Sequence, residues 1–374
     1  MSKMDTNNQK KLFIGLMSGT SMDGIDAALI DLSTNYFIAG ITRPYSPTAK
    51  NYLSAVLSGK LCSLKAYSQL NTILGREFAA AAQELLVKAQ ISASTIQAIG
   101  SHGQTLCHDA TAEIPYTLQL GCAHTIAELT GITVVADFRT RDLVVGGQGA
   151  PFAPIYHQAL FKDQDFPLAV VNIGGISNLT YLADELRVTG YDLGPGNCLM
   201  DAWTQKHLDQ PYDKNGNWAA SGKIIKPLLE NLLADPYFQR KQPKSIGKEY
   251  FSLEWLGRYL DNDYSTNDVQ TTLLMLTARA IADGIKVEEK APKQVLLCGG
   301  GAHNSTLLNA LAGLLPELKV ASTESININP DFIEALMFAW LAEKTLTNSA
   351  LDLSRITGSK RPTVLGAIYP GVKV

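Results

Sequence analysis

Hydrophobic and polar positions alternate between two periods along the chain. Lys11–Met17 reads as a buried strand, Ser18–Gly24 is a turn of small polar residues, and Ile25–Leu32 resumes an apolar strand. A helical stretch follows over Leu64–Lys88, then a strand over Ile96–Gly100 that ends in Ser101-His102-Gly103-Gln104. The strand Tyr116–Leu120, the helix Ala123–Thr130 and the strand Ile132–Ala136 continue the alternation. Strands alternating with helices predict an α/β unit with a largely parallel sheet.

The glycine-rich stretch Gly146–Gly149 interrupts this pattern, and a helix is expected over Pro154–Phe161. A second strand–turn–strand then appears: Leu168–Ile173, the turn Gly174–Asn178, and Leu179–Leu182. It repeats the plan of the first hairpin, which suggests two related halves. The domain change is placed near Gln164–Pro167, giving residues 11–165 (joined by 330–374) and 166–329. The second half adds a helix over Asp268–Glu289, the strand Gln294–Cys298, Gly299-Gly300-Gly301, and a helix from Ser305. Asn329-Pro330-Asp331 reads as a helix start with Asn as cap, opening an apolar helix over Pro330–Leu346.

Apolar residues make up 46% of the chain and charged ones 18%, a soluble globular composition. Lys and Arg number 32 against 35 acidic residues, so no basic excess marks a nucleic-acid binder. The polar N-terminus lacks the long apolar core of a secretory signal, and no run is long enough for a membrane span. Five scattered cysteines without CxxC spacing read as reduced thiols. A cytoplasmic location is the expectation.

Four segments are candidates for chemistry. The turn within Gly15–Asp26 offers backbone N–H groups and hydroxyls that suit phosphates, and Asp23 and Asp26 could hold Mg²⁺ through water. Taken alone, it reads at least as well as an ordinary hairpin. The turn Asn172–Asn178 has the same chemistry, with Gly174, Gly175 and Asn178 as its contacts, and two such turns would grip a triphosphate. Gly299, Gly300, Gly301 and Asn304 lie between a strand and a helix, where glycines admit a nucleoside and a helix N-terminus favours an anion. Asp192 stands in a turn bounded by Gly190 and Gly196; a carboxylate there suits a general base, although by itself it reads as an Asx-turn. His102, Gln104 and His108 cluster after a strand without metal-pair spacing, and Arg139 and Arg141 could clamp an anion.

In combination, MSGTSMDGID, NIGGISN, GYDLGPGN and CGGGAHN, with SHGQT, FRTRD, GGQGAPF and NPDFIEALMFAWLA, resemble the anhydro-N-acetylmuramic acid kinases from Phe13 to about Ala342. The resemblance implies two related actin-like (ribonuclease H-like) α/β domains with ATP in the cleft between them. It assigns Gly19, Thr20, Ser21, Met22, Asp23, Gly24, Ile25 and Asp26 to the ATP phosphates and the glycine triplet to the nucleoside. It makes Asp192 the base that activates water, and it lines the sugar site with His102, Gln104, Arg141 and Glu334. The implied substrate is 1,6-anhydro-N-acetylmuramic acid, opened by water and phosphorylated on O6 during peptidoglycan recycling. A homodimer is implied as well. An ordinary hexose or amino-sugar kinase and a non-enzymatic actin-like ATPase remain the competing readings of the same turns.

Overall fold

The computed structural model describes residues 10–19, 24–61, 63–185, 187–242, 244–247 and 250–372. Thr20, Ser21, Met22 and Asp23 of the first turn therefore lie outside the described residues. The chain divides into two compact units: one runs to Tyr156 and resumes at Phe332, and the other is His157–Asp331.

In the first unit, β1 (Leu12–Ser18), β2 (Ile25–Asp31) and β3 (Tyr36–Arg43) form an antiparallel meander. Helices α1 (Pro47–Leu57) and α2 (Leu64–Ala89) follow, each capped by a serine, Ser46 and Ser63, that accepts a backbone N–H of the first turn. Strand β4 (Ile96–Asp109) lies parallel to β1. It is much longer than its apolar run, because its second half pairs with β5 (Tyr116–Leu120) as a hairpin. Ser101–Gln104 thus lie inside a continuous strand and not at its end. Then come α3 (Ala123–Thr130), β6 (Val134–Ala136) parallel to β4, α4 (Phe138–Val144) and α5 (Ala153–Leu160).

The second unit contains β7 (Leu168–Ile173), β8 (Ile176–Leu182), β9 (Val188–Pro195), α6 (Cys198–Leu208), α7 (Lys226–Leu233), α8 (Leu253–Gly257), α9 (Thr266–Lys286), β10 (Gln294–Cys298), α10 (Ser305–Leu314) and β11 (Lys319–Ser322). The chain ends in α11 (Ile333–Leu346) and β12 (Ala367–Tyr369), both in the first unit.

The two sheets share a plan. The first orders its strands β12-β6-β4-β1-β2-β3, the second β11-β10-β7-β8-β9. In each, a three-stranded meander continues into two parallel strands beside its first strand. Two copies of this mixed sheet are the ribonuclease H-like unit of the actin-like fold. The inference of duplicated halves, drawn from two turns, thus extends to every strand of the common sheet.

Helix α11 begins later than expected. Pro330 and Asp331 precede it, and Asn329 closes a turn by accepting the N–H of Asp331 at 2.9 Å without capping the helix. Its residues Ala335–Ala342 are all buried. The reason is that α11 packs on backbone. Gly15 of β1 and Gly100 of β4 are register partners. A Cβ at Gly15 would fall 1.6 Å from Ala335 O, and one at Gly100 1.9 Å from Phe338 O. Neither position admits a side chain unless the helix retreats. Gly313 in α10, by contrast, has nothing within 4 Å of a would-be Cβ.

Gly100→Ala is therefore expected to cost about 3 kcal/mol, at the upper end of overpacking penalties. Gly313→Ala should instead add about 0.5–1 kcal/mol, because alanine restricts the unfolded chain and favours helix. Urea unfolding of both variants checks the pair, and an unaltered midpoint for Gly100→Ala would contradict the packing argument.

Candidate functional site

In the first unit, the turn after β1 is held from both ends. The Ser18 hydroxyl lies 2.7 Å from Gly24 O and 2.9 Å from Gln104 Oε1. Gln104 also accepts from Tyr45 OH at 3.2 Å and donates from Nε2 to Gly19 O at 3.2 Å. Gln104 is buried and bonded on both amide atoms, so it anchors the turn. Asp26, at the start of β2, accepts from Thr42 Oγ1 at 2.6 Å.

His102 is buried on β4. Its Nδ1 faces Gly103 O at 2.8 Å, and Arg139 Nε donates to its Nε2 at 3.1 Å. That pair assigns the neutral tautomer with the proton on Nδ1. Burial, then the Arg139 charge, pushes the imidazole down to about 3, so it stays neutral across the physiological range. Both nitrogens are occupied, which leaves none for a metal. Arg139 is itself lowered to about 10 by burial, while Glu334 opposes the shift. Glu334 breaks the buried run of α11 by reaching solvent. The surrounding protein and the nearby Asp26 raise its carboxyl, and Arg139 partly offsets this. Arg139, His102, Glu334 and Asp26 thus form one electrostatic group.

Arg141 is exposed on the same helix, α4. Two residues on a helix are separated by about 200°, so Arg139 and Arg141 face opposite ways. Of the two arginines of FRTRD, Arg139 meets His102, and Arg141, the one expected at the sugar, faces solvent. Next to it, the buried Asp142 accepts from Gly149 N at 2.7 Å and from Thr357 Oγ1 at 2.9 Å, bracing the Gly146–Gly149 loop.

In the second unit, Asp192 lies on β9 and not in a turn. A register shift between Ser177 and Asn178 makes Leu193 an extra residue opposite β8, a bulge that turns the Asp192 side chain. Cys298, Asn172, Asn178 and Asp192 are then successive partners across β10, β7, β8 and β9, one polar row on one face. Asp192 Oδ2 accepts from Ile246 N at 2.9 Å, its N–H donates to Lys244 O at 2.9 Å, and Tyr237 OH donates to its carbonyl at 2.9 Å. Burial raises the carboxyl to about 6, and the Ile246 bond only partly opposes this. A carboxyl at that value can both take up and release a proton at physiological pH.

The glycine-rich turns around this row divide by role. Asn197 N and Gly196 N donate to Gly174 O and Gly175 O at 2.8 and 2.9 Å, and Asn197 Nδ2 to Ile173 O at 3.1 Å. A Cβ at Gly174 or Gly175 would meet nothing closer than 3.7 Å, so both are open to an incoming group. Gly299 adopts φ +76° and its Cβ would strike Asn172, while a Cβ on Gly301 would strike Ile173 at 2.3 Å. Only Gly300 of the triplet is open. Asn304 caps α10 by accepting from Leu307 N at 3.0 Å.

The family model described as anhydro-N-acetylmuramic acid kinase matches residues 11–371. A protein of that name from Legionella pneumophila (strain Corby) is 56% identical over 362 residues, covering 97% of this chain and 99% of the relative. Its namesake from Coxiella burnetii (strain Dugway 5J108-111) is 46% identical over 367 residues, with 97% and 99% covered. The chain belongs to the anhydro-N-acetylmuramic acid kinase family.

Among the described residues no three His, Cys, Asp or Glu side chains gather into a metal cluster. Asp26 is the described member of the expected carboxylate pair. No helix of the described residues is long and apolar enough to cross a membrane.

The glycine contacts generate a stability test. Gly301→Ala should lose about 1–3 kcal/mol through the clash with Ile173, whereas Gly175→Ala should stay within about 0.5 kcal/mol of the parent. Thermal melts of the two variants read the difference; equal losses would remove the distinction between packing and open glycines.

Proposed function

We propose that this chain uses ATP and Mg²⁺ to convert 1,6-anhydro-N-acetylmuramic acid to N-acetylmuramic acid 6-phosphate and ADP, in the peptidoglycan recycling of a bacterial cytoplasm. The observation that carries the reading is Asp192: a half-buried carboxylate, aimed by a bulge, braced by three backbone contacts and raised to about 6. In this reading Asp192 accepts a proton from the water that bonds to C1 of the sugar. The C1–O6 bond breaks, its electron pair goes to O6, and O6 then bonds the γ-phosphorus as ADP departs.

Gly19–Asp26 with Gly174, Gly175 and Asn178 serve the phosphates, and Gly300 with Asn304 the nucleoside end. Their backbone donors supply the positioning and charge stabilisation on which phosphoryl transfer depends. Mg²⁺, held through water by Asp26 and Asp23, would neutralise phosphate charge. Arg139, with neutral His102 behind it, and Glu334 serve the sugar; Gln104 and Arg141 take supporting positions. A homodimer belongs to the same proposal, on family grounds.

A coupled ADP assay tests the substrate. The anhydro sugar should turn over, and free N-acetylmuramic acid, which needs no ring-opening water, should not. Preferential turnover of the free sugar would establish an ordinary amino-sugar kinase.

Asp192→Asn isolates the base. It keeps an oxygen for Ile246 N but cannot take a proton, so kcat should fall about 10²–10⁴-fold. The folded carboxyl sits above its unfolded value of roughly 3.9, so burying the charge costs stability once pH rises past that value. The variant should therefore melt at or above the parental temperature near neutral pH. In the parent, kcat/KM should fall as pH drops through about 6, when the base is protonated. A variant with normal kcat would overturn the assignment.

A further inference from the structure

Tyr191 and Leu193, the neighbours of Asp192 on β9, line a cavity of about 350 Å³. It is bounded by edge strand β9, the C-terminal half of α9, Phe238–Arg240, Gln242 and Lys244, with Leu193 and Phe238 among its apolar walls. Its volume equals roughly twelve waters at ~30 Å³ each, enough for a phosphorylated monosaccharide. Three cations line it, Arg240, Lys244 and Arg279, against one carboxylate, Asp283. Asp283 is taken by Arg279 at 3.5 Å.

Arg240 and Lys244 have no carboxylate within ion-pair distance among the described residues. Instead both rest on one aromatic ring: the Arg240 guanidinium lies 5.5 Å from the Tyr237 centroid and Lys244 Nζ 4.6 Å. Two like charges on one ring repel, and Lys244 is lowered by burial and then by Arg240. Gln242 donates to Tyr191 OH at 2.6 Å and leaves its amide oxygen for a hydroxyl. The cavity therefore supplies positive charge, a carbonyl acceptor and an apolar wall.

We infer that this cavity is a binding site for a small phosphate monoester on a sugar-sized body. A phosphate monoester carries about −1.5 to −2 charges at neutral pH, which offsets the Arg240 and Lys244 pair, while Phe238 and Leu193 cover the body's apolar face. The site connects to the catalytic row through backbone. Lys244 presents its side chain to the cavity and its carbonyl to Asp192 N, and Tyr237 lies under both cations while donating to Asp192 O. Occupancy would bear on the segment that holds the base.

Calorimetry on the full chain, without ATP or anhydro sugar, tests the site independently of the kinase reading. Glucose 6-phosphate should bind with a Kd below about 1 mM, and glucose should not. Inorganic phosphate binding as tightly as glucose 6-phosphate would identify the free anion as the ligand; much weaker binding would identify the ester. The Arg240→Gln/Lys244→Gln double variant should bind at least about tenfold more weakly, the loss of one charge-assisted contact. Val287→Trp, which keeps the cations and fills the mouth, should also weaken binding and covers the case of a misfolded double variant. No binding by the parent, or parental affinity in a folded double variant or in Val287→Trp, would overturn the inference.

Discussion

The first unit depends on a helix lying directly on strand backbone. Gly15 and Gly100 sit side by side in β1 and β4, and the carbonyls of Ala335 and Phe338 occupy the space their side chains would have filled. This lets α11 descend to the sheet, so its apolar residues are enclosed from Ala335 to Ala342. Phe332, just before the helix, does the same at β3, where its ring covers Gly40 and stacks on Phe37 at 5.7 Å. The depth of α11 is what brings Glu334 into electrostatic reach of Asp26 and Arg139. A shallower helix would carry the same sequence and a different site.

Burial is also the common cause of the site's electrostatics. It removes charge from His102, lowers Arg139, and raises Asp192. Hydrogen bonds then decide what each group can do. His102 has both nitrogens engaged and can only orient its neighbour, whereas the Asp192 carboxylate accepts a single backbone N–H, on Oδ2. The raised carboxyl of Asp192 comes from packing against segments remote in sequence.

The duplicated sheet explains why the candidate chemistry recurs. In each unit the turn between the first two strands of the meander carries glycine and small polar residues, beside the switch from antiparallel to parallel neighbours. Both meanders carry an extra residue in their third strand, Ile38 in β3 and Leu193 in β9, but only the one in β9 lies beside the turn, where Asp192 falls in line with Asn178 and Asn172. The position of the extra residue thus sets which side chain of the strand joins the polar row.

Local pattern was enough for most elements, because strand alternation, helical period, serine caps and glycine turns act over a few residues. It also sufficed for the family, whose signature segments are contiguous. It could not reach the properties that arise between distant segments. The β4–β5 hairpin extends a strand past its apolar run, α4 sends Arg139 inward and Arg141 outward, and the glycine triplet serves packing at Gly299 and Gly301 while Gly300 stays open. The ionisation of Asp192 belongs to the same class. Its raised carboxyl depends on the β9 bulge and on a segment some fifty residues downstream, around Lys244 and Ile246. Local residue types set which groups are present, and only the packing of remote backbone set their faces, their charge and their partners.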